Sequence, residues 1–208
     1  MKCSLCSEQT LFFYSNQHRE YYFCNECSSI SLNKNCRLNA EDEKNHYEKH
    51  NNDVEDVRYQ KFVSPIVNQI ILDFGNSNKG LDFGSGTGPV ITKMLRDQNF
   101  DIETYDFYFD PNLEALQKKY DYIACCEVVE HFYDPRKEFQ LLFDLLNKGG
   151  KLYCMTELYQ VESNFDTWYY KTDPTHVFFY TQKTFEWIRK EFGFEQVSFH
   201  GRMIVLEK

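Results

Sequence analysis

One stretch constrains this chain more than any other: GLDFGSGTG, residues 80–88. It reads as a short apolar strand that runs into a glycine-rich turn, with a helix behind it. Pro89 suits a first helical position, and Val90, Ile91, Met94 and Leu95 recur at helical spacing. Gly84, Gly86 and Gly88 carry no Cβ, so a ligand can press close to the backbone. The helix N-terminus then offers free N–H groups and a positive dipole end to an acidic group.

The spacing excludes two familiar ligands. A dinucleotide turn follows G-x-G-x-x-G, and its third glycine would fall on Pro89. No Gly-Lys-Ser/Thr follows to grip a triphosphate. Residues 101–106 (DIETYD) read as a second strand ending in a carboxylate, about twenty residues past the turn, where an acid can bind both hydroxyls of a ribose. A ribose without a pyrophosphate grip points to S-adenosylmethionine. Residues 81–88 resemble the first motif of the class I S-adenosylmethionine-dependent methyltransferases. The resemblance implies that Gly84, Ser85, Gly86, Thr87 and Gly88 hold the cofactor, with Asp106 on its ribose and Asp110 as the second candidate. It also implies that Asp82 braces the turn through its N–H groups or a water.

Length and charge narrow the class. The chain has 208 residues, enough for one full domain and a small appendage. A formal net charge of −9 argues against a nucleic-acid backbone as the main partner. With no run of eighteen apolar residues and no secretory signal pattern, a cytoplasmic protein without a membrane partner is expected. The eight cysteines then point to metal binding or burial rather than disulfides. Cys3-x-x-Cys6 and Cys24-x-x-Cys27, separated by 17 residues, have the spacing of a tetrahedral four-cysteine zinc site, with iron as the chief rival. The aromatic residues between the pairs read as a hairpin that brings them together. Expected divisions are a zinc ribbon at 1–38, an acidic linker and covering helix at 39–78, and a catalytic domain at 79–208.

Within the linker, His46 and His50 have metal-ligand spacing but no third ligand, so solvated or capping histidines are expected. Residues 55–74 carry a helical pattern that Pro65 interrupts; this helix should pack on the main sheet, with its start over the cofactor. After Asp106 the next strand comes early, at 120–126. Residues 112–119 leave room for only about two turns of helix, so a sheet trimmed at one edge is expected, with adenine stacked on Phe107 or Tyr108. Residues 125–132 (CCEVVEHF) resemble the stretch after the fourth strand of the same family, where an E-x-x-E-H pattern occurs. That implies a methionine-side border at Cys126 and Glu127, with His131 above the sheet's carboxyl ends, either functional or ordering the loop.

A helix from Asp134-Pro135 should end at Lys148-Gly149-Gly150, followed by a strand at 151–158, a helix at 184–192 and strands at 194–200 and 202–207. A closing antiparallel hairpin of this kind is a habit of the family. Residues 165–180 are too polar and proline-broken for a strand, and too aromatic for an idle loop. Their D-P-T-H-V stretch is similar to one in small-molecule methyltransferases related to the ubiquinone-pathway O-methylating enzymes. Trp168, Tyr169 and Tyr170 could wall the methyl group, with Tyr170 and His131 as further catalytic candidates. His176 either takes a proton from an attacking oxygen or nitrogen or, with Asp173, holds the loop closed.

The fold expected is α/β: a Rossmann-like open sheet with a closing antiparallel hairpin, shortened at one edge, plus the N-terminal ribbon. The whole chain resembles a group of bacterial methyltransferases with such a four-cysteine segment. The resemblance implies O-, N- or C-methylation of a small or medium-sized acceptor. Two alternatives stand beside it: RNA methylation, with Arg19, Lys34 and Arg37 gripping RNA, and a non-catalytic zinc-bearing scaffold.

Overall fold

The computed structural model describes residues 1–49 and 53–208, so His50 lies outside the described residues. The chain opens with β1 (Thr10–Ser15), β2 (Glu20–Cys24) and the short β3 (Ile30–Leu32), an antiparallel meander. Two helices follow, α1 (Ala40–Tyr47) and α2 (Val57–Asp73). Asn39 caps α1, its side chain accepting from the Asp42 N–H at 2.9 Å.

Pro65 does not interrupt α2, which runs straight through it. A proline leaves the carbonyl four residues back without its N–H donor. Here that carbonyl is Lys61, and the Ser64 hydroxyl donates to it at 2.8 Å. The helix lays Val63, Ile66, Val67 and Ile70 on one face, against Val90, Ile91 and Leu95 of α3 (Val90–Arg96).

The main sheet has six strands. β4 (Lys79–Phe83), β5 (Asp101–Tyr105), β6 (Tyr120–Cys126) and β7 (Leu146–Met155) are parallel. Further along the chain come β8 (Phe178–Phe179), β9 (Gln196–His200) and β10 (Met203–Glu207). The order β5-β4-β6-β7-β10-β9 places the antiparallel β9–β10 hairpin at one edge. The other edge is β5, trimmed as expected. Its connection to β6 holds one short 3-10 turn at Ala115–Gln117, not two turns of helix.

Helix α4 (Pro135–Leu145) ends earlier than the sequence suggests, and Lys148-Gly149-Gly150 lie inside β7. These glycines make a bulge. Tyr120 faces Leu146 while Tyr122 already faces Lys151, and Gly149 adopts a left-handed φ of 75°. The bulge pairs with the chain end, since the Lys208 N–H donates to the Gly150 carbonyl at 2.9 Å. Helix α5 (Gln182–Phe192) starts at a reciprocal cap between Thr181 and Thr184 and ends at Gly193, φ 86°.

The cysteine-bearing segment is built into the rest. β3 pairs with β8, so the meander continues into a strand from the far end of the chain. Leu5, Tyr21, Ile30 and Leu32 share one buried cluster with Phe165, Phe178, Phe179 and Tyr180. Thr181 adds a hydroxyl bond to the Ser28 carbonyl at 3.1 Å.

Gly80 is needed for packing. A Cβ there would sit 2.0 Å from Cε2 of Tyr122, a fully buried ring whose hydroxyl is held by the Asp101 carbonyl at 3.1 Å. Gly80→Ala is therefore expected to destabilise by about 2–3 kcal/mol, read as a lower urea midpoint with unchanged slope.

Candidate active site

At the carboxyl end of β4 the chain turns back through Gly84 and Gly86, whose φ angles of 78° and 65° are left-handed. The N–H groups of Gly84 and Ser85 donate to the Tyr105 carbonyl at 2.8 and 3.1 Å, tying the turn to β5. A Cβ on Gly84 would lie 2.4 Å from Cγ2 of Val128. Both the backbone angle and the space therefore exclude a side chain.

Asp82 gives one carboxylate oxygen to α3 rather than to the N–H groups of this turn. Its Oδ2 accepts from the Thr92 N–H at 3.3 Å and the Thr92 hydroxyl at 2.8 Å. It thus caps the third residue of α3 from below, and that N–H is taken rather than offered to a ligand. The alternation of β4 explains this: two residues short of the glycine, Asp82 points down onto the helix layer. Burial pushes its carboxyl up to about 6, against the pull of Thr92. A buried acid with a raised pKa favours folding while protonated, so stability should fall as pH rises from about 4 to about 6. Asp82→Asn is expected to make that slope in urea midpoints shallower across the window, with the remainder left to Glu127 and other carboxyls raised by burial.

Asp106 follows β5 and faces the turn. Its Oδ2 accepts from the Gly86 N–H at 2.9 Å; its Oδ1 accepts from the N–H groups of Tyr108 and Phe109 at 2.9 and 3.0 Å. Asp110 pairs with it through backbone bonds, but its carboxylate accepts the Thr104 hydroxyl. Of the two acids left open by the sequence, Asp106 lines the cavity and Asp110 does not.

That cavity has a volume of about 1000 Å³ and sits over the carboxyl ends of β4, β5 and β6. Gly84, Ser85, Gly86, Thr87, Asp106 and Phe107 form one side of it. Cys126, Glu127, His131, Tyr170 and His176 border it elsewhere. Asp82 and Gly88, also expected at the cofactor, are outside the lining. Phe107 is 71% exposed at the rim, edge-on to Tyr108. Trp168, expected in an aromatic wall, turns inward against Tyr159 and Phe179, whereas Tyr169 and Tyr170 do reach the cavity.

Several lining groups were not legible in the sequence. Glu43, assigned to an acidic linker, is buried on α1 and accepts the hydroxyls of Tyr47, Tyr108 and Tyr133 at 3.0, 2.8 and 3.2 Å. The one available signal was the spacing of Glu43 and Tyr47, four apart on a helix. Tyr59 and Phe62 bring the start of α2 to the cavity, as expected of the covering helix. Arg202, in the β9–β10 turn, grips Glu127 with Nη2 at 2.8 and 2.7 Å from the two carboxylate oxygens.

Glu127 holds a left-handed φ of 52° and also accepts the Tyr170 hydroxyl at 3.1 Å. Burial and the neighbouring Glu130 push its carboxyl up to about 8, against Arg202. Tyr170 donates to Glu130 as well, and burial together with both carboxylates raises its phenol far above the ordinary range. Burial and His131 hold His176 down at about 3, so it is a neutral imidazole. Its Nδ1 donates to the Tyr170 carbonyl at 2.7 Å. His46 approaches Asp173 at 3.5 Å, so α1 also touches the acceptor-side loop.

At the opposite end of the ribbon sheet, Cys3, Cys6, Cys24 and Cys27 present their sulfurs within 4.8 Å of one another. Sγ separations are 3.6 Å for Cys3–Cys27 and 3.3 Å for Cys6–Cys24. Sulfurs around a tetrahedral ion with bonds of about 2.3 Å stand about 3.8 Å apart, so the group fits one. As bare thiols they are frustrated. The Cys27 thiol holds Cys3 down to about 5, while burial pushes Cys6 up to about 12 and the bond to Cys3 raises Cys27 too. A bound cation would favour the thiolate form of all four.

Residues 29–198 match the family model described as a methyltransferase domain, a span running from β3 into β9. The chain belongs to that methyltransferase family. The match begins beyond the last of the four clustered cysteines. No curated protein matches the sequence at a significant level.

Among solved structures, a 1,6-didemethyltoxoflavin N1-methyltransferase of Burkholderia thailandensis aligns with a TM-score of 0.58 at 12% identity, covering 95% of this chain and 98% of its own. That structure holds 1,6-didemethyltoxoflavin and S-adenosylhomocysteine. An S-adenosylmethionine-dependent methyltransferase of Archaeoglobus fulgidus gives 0.56 at 16% identity over 72% of this chain and 94% of its own. Human N-acetylserotonin methyltransferase, in complex with S-adenosylmethionine, gives 0.54 at 14% identity over 80% and 56%. At these identities the likeness is one of fold. This methyltransferase thus has the Rossmann-like sheet of that class, and among its described residues no helix is long and apolar enough to cross a membrane.

Proposed function

We propose that this methyltransferase moves a methyl group from S-adenosylmethionine to a small or medium-sized acceptor, and that the four cysteines hold a structural zinc ion. One observation carries the first part. The cavity over β4, β5 and β6 has a wall without side chains at Gly84 and Gly86 and a carboxylate, Asp106, facing that wall. S-adenosylmethionine supplies a methyl group already activated on a sulfonium. The turn gives its chain close access to backbone, Asp106 receives the ribose hydroxyls, and Phe107 covers the adenine edge. The border at Cys126 and Glu127 faces the methionine part.

Much of the acceleration comes from alignment and exclusion of water, worth roughly 7–11 kcal/mol in well-oriented systems. Tyr170, His131 and His176 stand on the acceptor side, where His176 is positioned by its Nδ1 bond and Tyr170 by two carboxylates. A small acceptor is favoured by two relatives whose names carry small-molecule substrates. It is favoured too by the state of two of the three basic residues offered for RNA, Lys34 being the exposed one. Arg19 donates to the carbonyls of Lys171 and Asp173 at 2.7 and 2.9 Å, and Arg37 lies over the Tyr133 ring at 4.7 Å. Both hold the protein together. The test is a screen of metabolite fractions with methyl-labelled cofactor. Label is expected in small organic products; label only in added RNA, or in nothing, would refute the proposal.

A further inference from the structure

Five carboxylates line the cavity: Glu43, Asp106, Glu127, Glu138 and Asp173. Four of them already hold donors. Glu43 takes three phenols, Asp106 takes three backbone N–H groups, and Glu127 takes Arg202 and Tyr170. Asp173 accepts the N–H and the hydroxyl of Thr175. Glu138 alone of the five has no hydrogen bond or ion pair to its side chain among the described residues. It sits in the first turn of α4, where an acid complements the helix dipole. That role needs no burial, yet Glu138 is half-buried and borders the cavity. Burial, then the charge of Asp134, pushes its carboxyl up, against Lys137. A half-buried acceptor without a donor carries a cost that a ligand N–H can offset.

Asp106 and Glu138 stand on the same side of the cavity. Burial raises the Tyr105 phenol, and Glu138 and then Asp106 add to it, so both carboxylates lie near that one hydroxyl. A chain of aromatic rings joins their surroundings. Tyr105 is 5.2 Å from Phe83, Phe83 is 6.3 Å from Phe132, and Phe132 is 5.9 Å from Phe139, the residue after Glu138. Tyr105, Phe83 and Phe132 all reach the cavity lining. An apolar strip therefore runs from the carboxylate assigned to the ribose toward the unpartnered one. A flat ring with an N–H donor at its far edge matches such a strip.

We propose that Glu138 accepts the exocyclic amino group of the cofactor's adenine, with Phe83, Tyr105 and Phe132 bordering the ring. This rests on the S-adenosylmethionine reading above and adds a base-specific contact to it. Ionised or protonated, the Glu138 carboxyl keeps an oxygen that can accept. The amino group is what tells adenine from hypoxanthine, whose carbonyl at the same position would set one acceptor against another. Glu138 is thus a specificity residue, through which the site chooses an adenosyl ligand over an inosyl one. It reaches the cavity from the first turn of α4, an element that neither the glycine turn nor Asp106 belongs to.

Calorimetry on the full chain tests this with S-adenosylhomocysteine and S-inosylhomocysteine, in which hypoxanthine replaces adenine. The parent should bind the adenosyl compound at least about tenfold more tightly. Glu138→Leu keeps much of the volume and removes the acceptor, so its two affinities should fall within about threefold of each other. Glu138→Gln keeps an acceptor and should retain a preference of more than about threefold for the adenosyl compound. A purely structural or charge role for Glu138 would weaken both ligands alike and leave their ratio unchanged. A parent that binds both compounds equally overturns the proposal and leaves the cofactor reading standing. So does a leucine variant that keeps the full preference, or a glutamine variant as indifferent as the leucine one. A parent that binds neither compound overturns the cofactor reading, and the proposal falls with it.

Discussion

On the proposal that the four cysteines hold zinc, replacing Cys24 by serine is expected to abolish metal binding there and lower the melting temperature by at least about 10 °C. A zinc ion in a four-cysteine setting contributes on the order of 10 kcal/mol in zinc-dependent modules, here in addition to the packing of the ribbon against the rest of the chain. Several of those kcal/mol would be felt by the whole chain, at about 2–4 °C each for a protein of this size. The coupling runs through named contacts: β3 to β8, the Leu32 N–H to the Val177 carbonyl at 2.9 Å, and Arg19 to Lys171 and Asp173. Arg136 adds a bond to the Leu5 carbonyl at 3.1 Å, joining α4 to the first knuckle. Amide exchange in residues 165–180 should therefore accelerate in the variant. A melting temperature and metal content equal to the parent's would show that the four sulfurs are only packed together.

Gly84→Ala is expected to abolish measurable cofactor binding. An alanine would need the left-handed backbone at φ 78° and would drive its Cβ to 2.4 Å from Val128. The first effect costs of order 1 kcal/mol and the second rather more, since Val128 sits between the glycine turn and Glu127. The turn would have to open, and with it the bonds from Gly84 and Ser85 to the Tyr105 carbonyl. Equilibrium dialysis with labelled S-adenosylmethionine measures this. Binding within threefold of the parent, in a folded variant, would mean that the ligand does not use this turn.

What the sequence disclosed was local. The strand–turn–helix at Gly84 shows because three glycines and a proline punctuate an apolar run, and the trimmed edge shows because too few residues separate Asp106 from Tyr120. Helix α5 was readable as a helix at 184–192, although it starts two residues earlier, after the Thr181 cap. What it concealed depended on distant partners. Lys148-Gly149-Gly150 has the chemistry of a helix stop, yet Lys208 pairs with it and makes it a bulge. Phe178 and Phe179 are too short a run to announce a strand, and their partner β3 lies about 150 residues earlier. Pro65 reads as a break, but Ser64 beside it supplies the donor the proline lacks. Glu43 looked like one acid of a solvated run until three tyrosines from separate elements met it. Asp82 was recognised as an important acid, but nothing in the motif says that one of its oxygens reaches down to Thr92.

The central claim is that the hollow above β4 and β5 seats an adenosyl sulfonium through bare backbone and one carboxylate. Titration calorimetry of S-adenosylmethionine, comparing the parent chain with Asp106→Ala, tests it most directly. One equivalent should bind the parent, and the variant should bind roughly tenfold or more weakly, the worth of a hydrogen bond to a charged group at about 1.5–3 kcal/mol. No binding by the parent, or equal affinity in both, would contradict the claim.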